Sequence, residues 1–212
     1  MKRLINDSIF LSNRNSVGGM VLIEGGAMKN NGAESYLRFL DGDRDALVDI
    51  IRDYRDGMIL FVNASVNDIC LAEEIVQEVF VKLAVKKPKY SGKSSFKTWI
   101  YSICRYTSID FLRKIKRRRE FNTDELWQVS DETDLEREYI REEQRIDLHR
   151  AMKKLNCDYR QVLYLIYFEG FDHAGAAKIM KKSSRQIVNL VYRAKIALKA
   201  ELEKEGFVYE KL

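Results

Sequence analysis

Proline occurs once in this 212-residue chain, at Pro88, and glycine only eleven times. So few chain breakers leave little room for the dense turns of an all-β protein and suit long helices. Cysteine is equally scarce. Cys70, Cys104 and Cys157 are odd in number, far apart and without a Cys-x-x-Cys pair. That excludes a disulfide scaffold, and the expectation is buried free thiols in a reducing cytosol. The two histidines, His149 and His173, stand apart from any nucleophile or ligand cluster. His149 and Cys157, even as neighbours, would supply only two ligands, which do not make a zinc site. No P-loop is present. No apolar run reaches eighteen residues, so membrane insertion is not expected. The chain reads as a non-enzyme with no catalytic residue, no metal site and no cofactor.

Charge is what the sequence has in quantity. Hydrophobic residues make up 46% and charged residues 33%, enough for a packed core under a heavily charged surface. The net charge of +5 is modest, but its placement is not even. From Lys82 to Arg119 there are thirteen Lys/Arg against one acid, Asp110. From Glu120 to Asp147 eleven acids face three bases. The first block suits a polyanionic partner and the second a solvated tether.

The N-terminal stretch has a short apolar run, Met20–Ile23, and no cleavage-site shape, so it is a poor signal peptide. Glu24-Gly25-Gly26 can be encoded by a stretch resembling a ribosome-binding sequence, with Met28 following at a suitable distance. Residues 1–33 are therefore either a disordered arm or partly a start-site artefact, with translation beginning at Met28.

Beyond it, Glu34–Val62 has apolar residues at three- and four-residue steps, interrupted by Asp41-Gly42-Asp43. Asp43 suits the N-cap of the longer part. Asn67 or Asp68 can cap a helix from Ile69 to about Val85, which must stop before Lys87-Pro88. Ser94 or Ser95 can cap a long helix to about Arg118, with Phe96, Trp99, Ile100, Ile103, Ile109 and Leu112 inward. Glu120–Asp134 lacks periodicity. Further helices are expected at about Asp147–Leu155, Tyr159–Phe168, Ala174–Met180 and Ser184–Lys204, the second preceded by Cys157 or Asp158 and ended by Gly170. No strand pattern or internal repeat appears.

Two patterns carry chemistry. Ser95–Arg119 interleaves aromatic groups (Phe96, Trp99, Tyr101, Tyr106, Phe111) with cations, which is what single-stranded nucleic acid needs: bases stack on rings while cations follow the backbone. Near the C-terminus, KKSSRQ (Lys181–Gln186) separates two helical patterns. A helix, a tight polar turn and a helix with exposed Arg, Gln and Asn has the layout of a helix-turn-helix DNA reader.

AEEIVQEVFVKL (Ala72–Leu83) followed by FKTWIYSICRYTSIDFLRK (Phe96–Lys114) resembles region 2 of bacterial sigma factors of the extracytoplasmic-function (ECF) group in the sigma-70 family. YRQVLYLIYFEGFDHAGAAKIMKKSSRQIVNLVYRAKIAL (Tyr159–Leu198) resembles region 4 of the same group. The resemblance covers about Glu34–Gly206, with the two motifs in the family's order. It implies an all-α fold of two helical domains joined by a flexible acidic linker. The corresponding boundaries are 34–119 for region 2, 120–140 for the linker, 141–206 for region 4 and 207–212 for a tail.

The resemblance also implies roles. Region 2 would dock on the clamp of core RNA polymerase through Glu73, Glu74, Gln77 and Glu78. It would hold the opened minus-ten element through Lys93, Ser95, Phe96, Trp99, Arg105, Tyr106, Arg113 and Lys114. Region 4 would read the minus-thirty-five element through Ser184, Arg185, Gln186, Asn189 and Arg193. The chain would thus direct promoter recognition, DNA opening and transcription initiation in the cytoplasm. Its implied partners are core RNA polymerase and promoter DNA, with an anti-sigma factor as a further candidate. Four positions depart from the family's habit: Leu71 replaces an aspartate, Tyr106 an asparagine, Gly175 a glutamate and Val188 a basic residue. The departures at Tyr106, Gly175 and Val188 keep open a degenerate sigma-like interaction module; a stand-alone helix-turn-helix regulator is the other alternative, and the acidic docking face and the basic-aromatic helix argue against it.

Overall fold

A computed structural model describes residues 31–121 and 143–204. Every regular element among them is helical. A first group comprises α1 (Asn31–Leu40), α2 (Asp45–Val66), α3 (Ile69–Lys86) and α4 (Phe96–Phe121). A second comprises α5 (Glu143–Lys154), α6 (Cys157–Leu163), a π-helical turn (Tyr164–Phe168), α7 (His173–Met180) and α8 (Ser184–Lys204). The residues expected to form the arm, the linker and the tail lie mostly outside the described ones.

The helix starts follow from side-chain caps. Asp43 accepts from the amides of Asp45 and Ala46 at 3.0 and 3.3 Å, and is held by an ion pair with Arg38. Asp68 accepts from Leu71 N at 3.0 Å, and Ser95 Oγ from Thr98 N at 3.2 Å. Asn156 caps α6 by accepting from Tyr159 N at 2.9 Å, one residue before the positions expected for that start. Each satisfies an amide that the first helical turn leaves without a partner. The stops are equally local. Lys87 takes a left-handed conformation (φ 44°) directly before Pro88, and Gly170 ends the π-helical turn at φ 68°.

The core of the first group forms where α2, α3 and α4 meet, with Ile50, Phe61, Ile75, Leu83 and Ile100 fully buried. On α4 the buried face is rotated from the one expected. Tyr101, Cys104, Thr107 and Ser108 are inside, whereas Leu112 is exposed. The small polar members bury without cost because Ser108 Oγ donates to Cys104 O at 2.9 Å and Lys82 donates to Thr107 at 3.2 Å. The thiols also differ from expectation: only Cys104 is buried, and burial pushes its pKa up, while Cys70 and Cys157 are exposed.

The two groups pack on each other. Lys97 of α4 forms a 2.9 Å ion pair with Glu169 and donates to the Glu169 carbonyl at 2.8 Å. Tyr101 meets Phe171 edge to face at 5.1 Å. Arg160 donates to Ala64 O at 2.7 Å, and Gln161 to Ser65 Oγ. Gly57 lets α2 into this contact: a Cβ there would lie 2.5 Å from the Tyr101 hydroxyl and 2.6 Å from Glu169 Oε1.

Candidate nucleic-acid interface

The loop before α4 is held from behind by aromatic rings. Trp99 lies 5.1 Å from Tyr36, 5.2 Å from Tyr90 and 5.3 Å from Phe96. Tyr36 donates to Pro88 O at 2.7 Å and Tyr90 to Ser94 O at 2.6 Å, so both ends of the loop are pinned. Burial raises the Tyr36 phenol to about 12. Phe96 is only 2% exposed. Its ring is a support for the loop rather than a surface on which a base can stack. Tyr36 and Tyr90 share that role and had no sequence signal beyond aromaticity.

In front of this support runs an open groove of about 580 Å³ between α3 and α4. Trp99 and Tyr106 supply rings, and Lys82, Lys86 and Lys114 supply cations along its walls. Tyr106 is 54% exposed, and Trp99 is half-buried. Lys93, Arg113 and Lys114 are exposed, and Ser95 is exposed while capping α4. Arg105 is half-buried, and its Nε is a buried donor without a partner among the described residues. The second helical group leans over this face. Lys181 stands 5.3 Å above the Tyr106 ring, and Lys178 donates to Lys93 O at 3.4 Å.

The acidic side chains of α3 do not form one uniform face. Glu74 and Gln77 are exposed. Glu73 is drawn toward α2 by Arg55 at 3.0 Å, beside a shallow groove lined by Ile51, Val76, Gln77, Phe80 and Val81. Glu78 turns the other way, pairing with Lys82 at 3.0 Å on the rim of the basic groove.

In the second group, α7 and α8 form the helix-turn-helix. Asp172 caps α7 by accepting from Gly175 N at 2.7 Å. Gly175 stands at the third helical position, where a glutamate would complete a reciprocal cap. Here a Cβ would lie 3.1 Å from Phe171 and 3.5 Å from Thr98 of α4, so the small residue belongs to the contact between the groups. At the start of α8 Ser183 and Gln186 cap each other. Gln186 N donates to Ser183 Oγ at 3.2 Å, and Ser183 N donates to Gln186 Oε1 at 2.7 Å. Ser184, Arg185, Asn189 and Arg193 are exposed along α8, and Ile187, Val191, Ala194, Leu198 and Leu202 are buried beneath it. The capping role of Gln186 ties up its amide oxygen, which a two-point contact with adenine would need.

Glu169 is the residue that sequence reasoning missed. Its nearly buried carboxylate receives Lys97 and, at 3.3 Å, the Tyr164 hydroxyl. Burial, then the Glu169 charge, holds Tyr101 and Tyr164 well above the ordinary tyrosine range. Its Lys97 partner lies 72 positions away in the chain, so no local pattern marks it. Among the described residues no group of three His, Cys, Asp or Glu side chains could hold a metal ion. No described helix is long and apolar enough to cross a membrane.

The sigma-70 region 2 family matches residues 50–119, and the sigma-70 region 4 family matches residues 145–198. The ECF RNA polymerase sigma factor SigX of Bacillus subtilis is 26% identical over 161 residues, covering 71% of this chain and 80% of that one. SigM of the same organism is 27% identical over 155 residues, covering 72% and 92%. The RNA polymerase sigma-H factor of Pseudomonas aeruginosa is 26% identical over 172 residues, covering 76% and 89%. In fold, the chain is similar to the sigma factor RpoE solved with the anti-sigma factor NepR from Bartonella quintana, with a TM-score of 0.59 at 22% identity over 73% of this chain and 97% of that one. It is also similar to CnrH solved with the cytosolic domain of CnrY, with a TM-score of 0.57 at 16% identity, covering 83% and 99%.

Proposed function

The chain belongs to the bacterial sigma-70 family, in its ECF group, and we propose that it exercises the family's function through the faces described above. It binds core RNA polymerase and directs promoter recognition, DNA opening and transcription initiation. The observation that carries this reading is the co-occurrence, in one chain and in the family's order, of the aromatic and cationic groove on α3–α4 and the helix-turn-helix of α7–α8.

Each face has a task suited to its chemistry. The α3 surface of Glu73, Glu74, Gln77 and Glu78, beside its shallow apolar groove, is the dock for core polymerase. Trp99 and Tyr106 stack on bases pulled from the minus-ten duplex, while Lys93, Arg105, Arg113 and Lys114 follow its phosphates. Extruding a base costs a few kcal/mol, and stacking returns about 1–3 kcal/mol per base. Ser95 and Phe96 hold the loop and helix start in place. On α8, Arg185 and Asn189 face base edges of the minus-thirty-five element, Ser184 and Arg193 meet phosphate, and Gln186 fixes the helix start.

Engaging both elements requires the two helical groups to separate. Elements about 25 base pairs apart lie roughly 85 Å apart along a duplex at 3.4 Å per step. Residues 122–142, between α4 and α5, can span at most about 70 Å when extended. With the widths of the two domains added, that reach is sufficient, whereas the closed packing on Glu169 is not. The working domain boundaries are 34–119 and 141–206, with residues 120–140 as the tether. The chain works in the cytoplasm, where its polymerase is. An anti-sigma factor is a fitting partner, since the two structures of similar fold were each solved with a partner protein, named as an anti-sigma factor for RpoE.

The test is run-off transcription with purified core polymerase on genomic fragments of the host. The chain should produce discrete starts that core alone does not. If it produced none, yet bound a duplex tightly and specifically at physiological salt by itself, a stand-alone regulator would be the better reading.

A further inference from the structure

Val188 occupies a place on the reader helix where nothing in the fold asks for an apolar group. The core-facing side of α8 is complete without it, being formed by Ile187, Val191, Ala194, Leu198 and Leu202. Val188 is 50% exposed, and Tyr192, one turn further on, is 66% exposed. Valine at an exposed helical position also forms helix less readily than lysine or arginine, because its branched side chain loses rotamer freedom. Neither burial nor helix propensity explains it.

The surroundings say what it faces. From His173 to Ala200 there are seven Lys/Arg and not one Asp or Glu. Lys182 pairs with Asp158 and Lys199 with Glu203, and the other cations of this segment fit a phosphate-lined groove. Polar base readout on this helix is thin, because the Gln186 amide oxygen is already taken by Ser183 N at 2.7 Å. That leaves Arg185 and Asn189 as the polar readers of its first two turns. In the major groove the one apolar feature that distinguishes a base is the C5-methyl of thymine, and aliphatic or aromatic side chains recognise it by contact. Residues four apart are neighbours on one face of a helix, about 6 Å apart along its axis, close to two base steps of 3.4 Å.

We propose that Val188, flanked by Tyr192, reads thymine methyl groups in the minus-thirty-five element, so that part of this chain's promoter choice is made by apolar contact. The proposal rests on the assignment of α8 as the reader of that element. It names the base class that the surface selects: thymines at one or two positions beside those contacted by Arg185 and Asn189.

Deoxyuridine tests it by a single methyl. On a promoter identified by run-off transcription, each upstream thymine is replaced in turn by deoxyuridine, and open-complex formation by the holoenzyme is measured. Wild type should lose about three- to ten-fold at one or two positions. Val188→Ala should start lower and show no further loss at those positions, and Val188→Thr, which keeps one methyl, should retain part of the sensitivity. Indifference of the wild-type holoenzyme to deoxyuridine at every upstream thymine would overturn the proposal while leaving the reader assignment standing. So would undiminished sensitivity in Val188→Ala. Loss of binding to a helical protein partner in Val188→Ala, with promoter use and deoxyuridine response unchanged, would overturn the proposal and assign Val188 and Tyr192 to that partner instead. If the upstream element could be replaced entirely without effect, the reader assignment and the proposal would fall together.

Discussion

On the proposed function, single residues divide between those that would touch a partner and those that hold them in place. Gln186 has the chemistry of an adenine reader, but its side-chain oxygen is spent on the turn before α8. Gln186→Ala should therefore destabilise the second domain by about 0.5–2 kcal/mol, the usual cost of losing an N-terminal cap, and leave base preference unaltered. Asn189→Ala should instead shift minus-thirty-five preference by about 1–3 kcal/mol at one base pair. Arg193→Ala should lower use of all promoters about equally, since a phosphate contact carries no base information. A promoter-library selection on the three variants, beside thermal melts, separates these outcomes. Tyr36 makes a second residue-scale prediction. Its phenol ionises near 10 when unfolded and about 12 when folded. The folded state thus binds its proton more tightly, so the associated stability is intact below pH 10 and lost as pH rises toward 12. Melting temperature should fall across that window, and Tyr36→Phe should flatten part of the fall while lowering the starting value through the lost bond to Pro88.

At the scale of elements, α3 and the contact between domains invite different perturbations. Glu74 is exposed, and Glu78 is paired with Lys82. Reversing both charges should leave the helical circular dichroism unchanged and weaken co-purification with core polymerase. Undiminished co-purification would remove α3 from the docking surface. Glu169 should behave oppositely. Glu169→Gln removes the ion pair with Lys97, worth roughly 1.5–3 kcal/mol as a charged hydrogen bond. The free protein should expand in small-angle scattering, and its affinity for single-stranded DNA at low salt should rise as Lys97 is released and Lys178 and Lys181 no longer lie over the groove. Helix positions were largely legible in the sequence because their signals are local: Asp68 and Ser95 announce starts, and Lys87-Pro88 a stop. Three features were not. The rotated face of α4 depends on hydroxyls of Thr107 and Ser108 finding partners that only the folded structure supplies. The clasp joins Lys97 to Glu169, and Arg160 and Gln161 to Ala64 and Ser65, across 72 and 96 positions. The role of Gln186 lies in a hydrogen bond that periodicity cannot distinguish from an exposed polar face.

At the scale of the whole molecule, the two domains rest against each other in the free chain and, on the proposed function, part when polymerase and promoter offer better partners. Free-chain DNA binding should accordingly be weak and fall steeply with salt, because its cations are directed at phosphate. On the proposed function, this chain makes core polymerase open promoter DNA. Permanganate, which modifies unpaired thymines, tests it most directly. With core polymerase, the wild-type chain should expose reactive thymines around a discrete start site, absent with core alone and strongly reduced for the Trp99→Ala, Tyr106→Ala double variant. A duplex that stays fully paired under holoenzyme, at promoters the complex demonstrably occupies, would contradict the account.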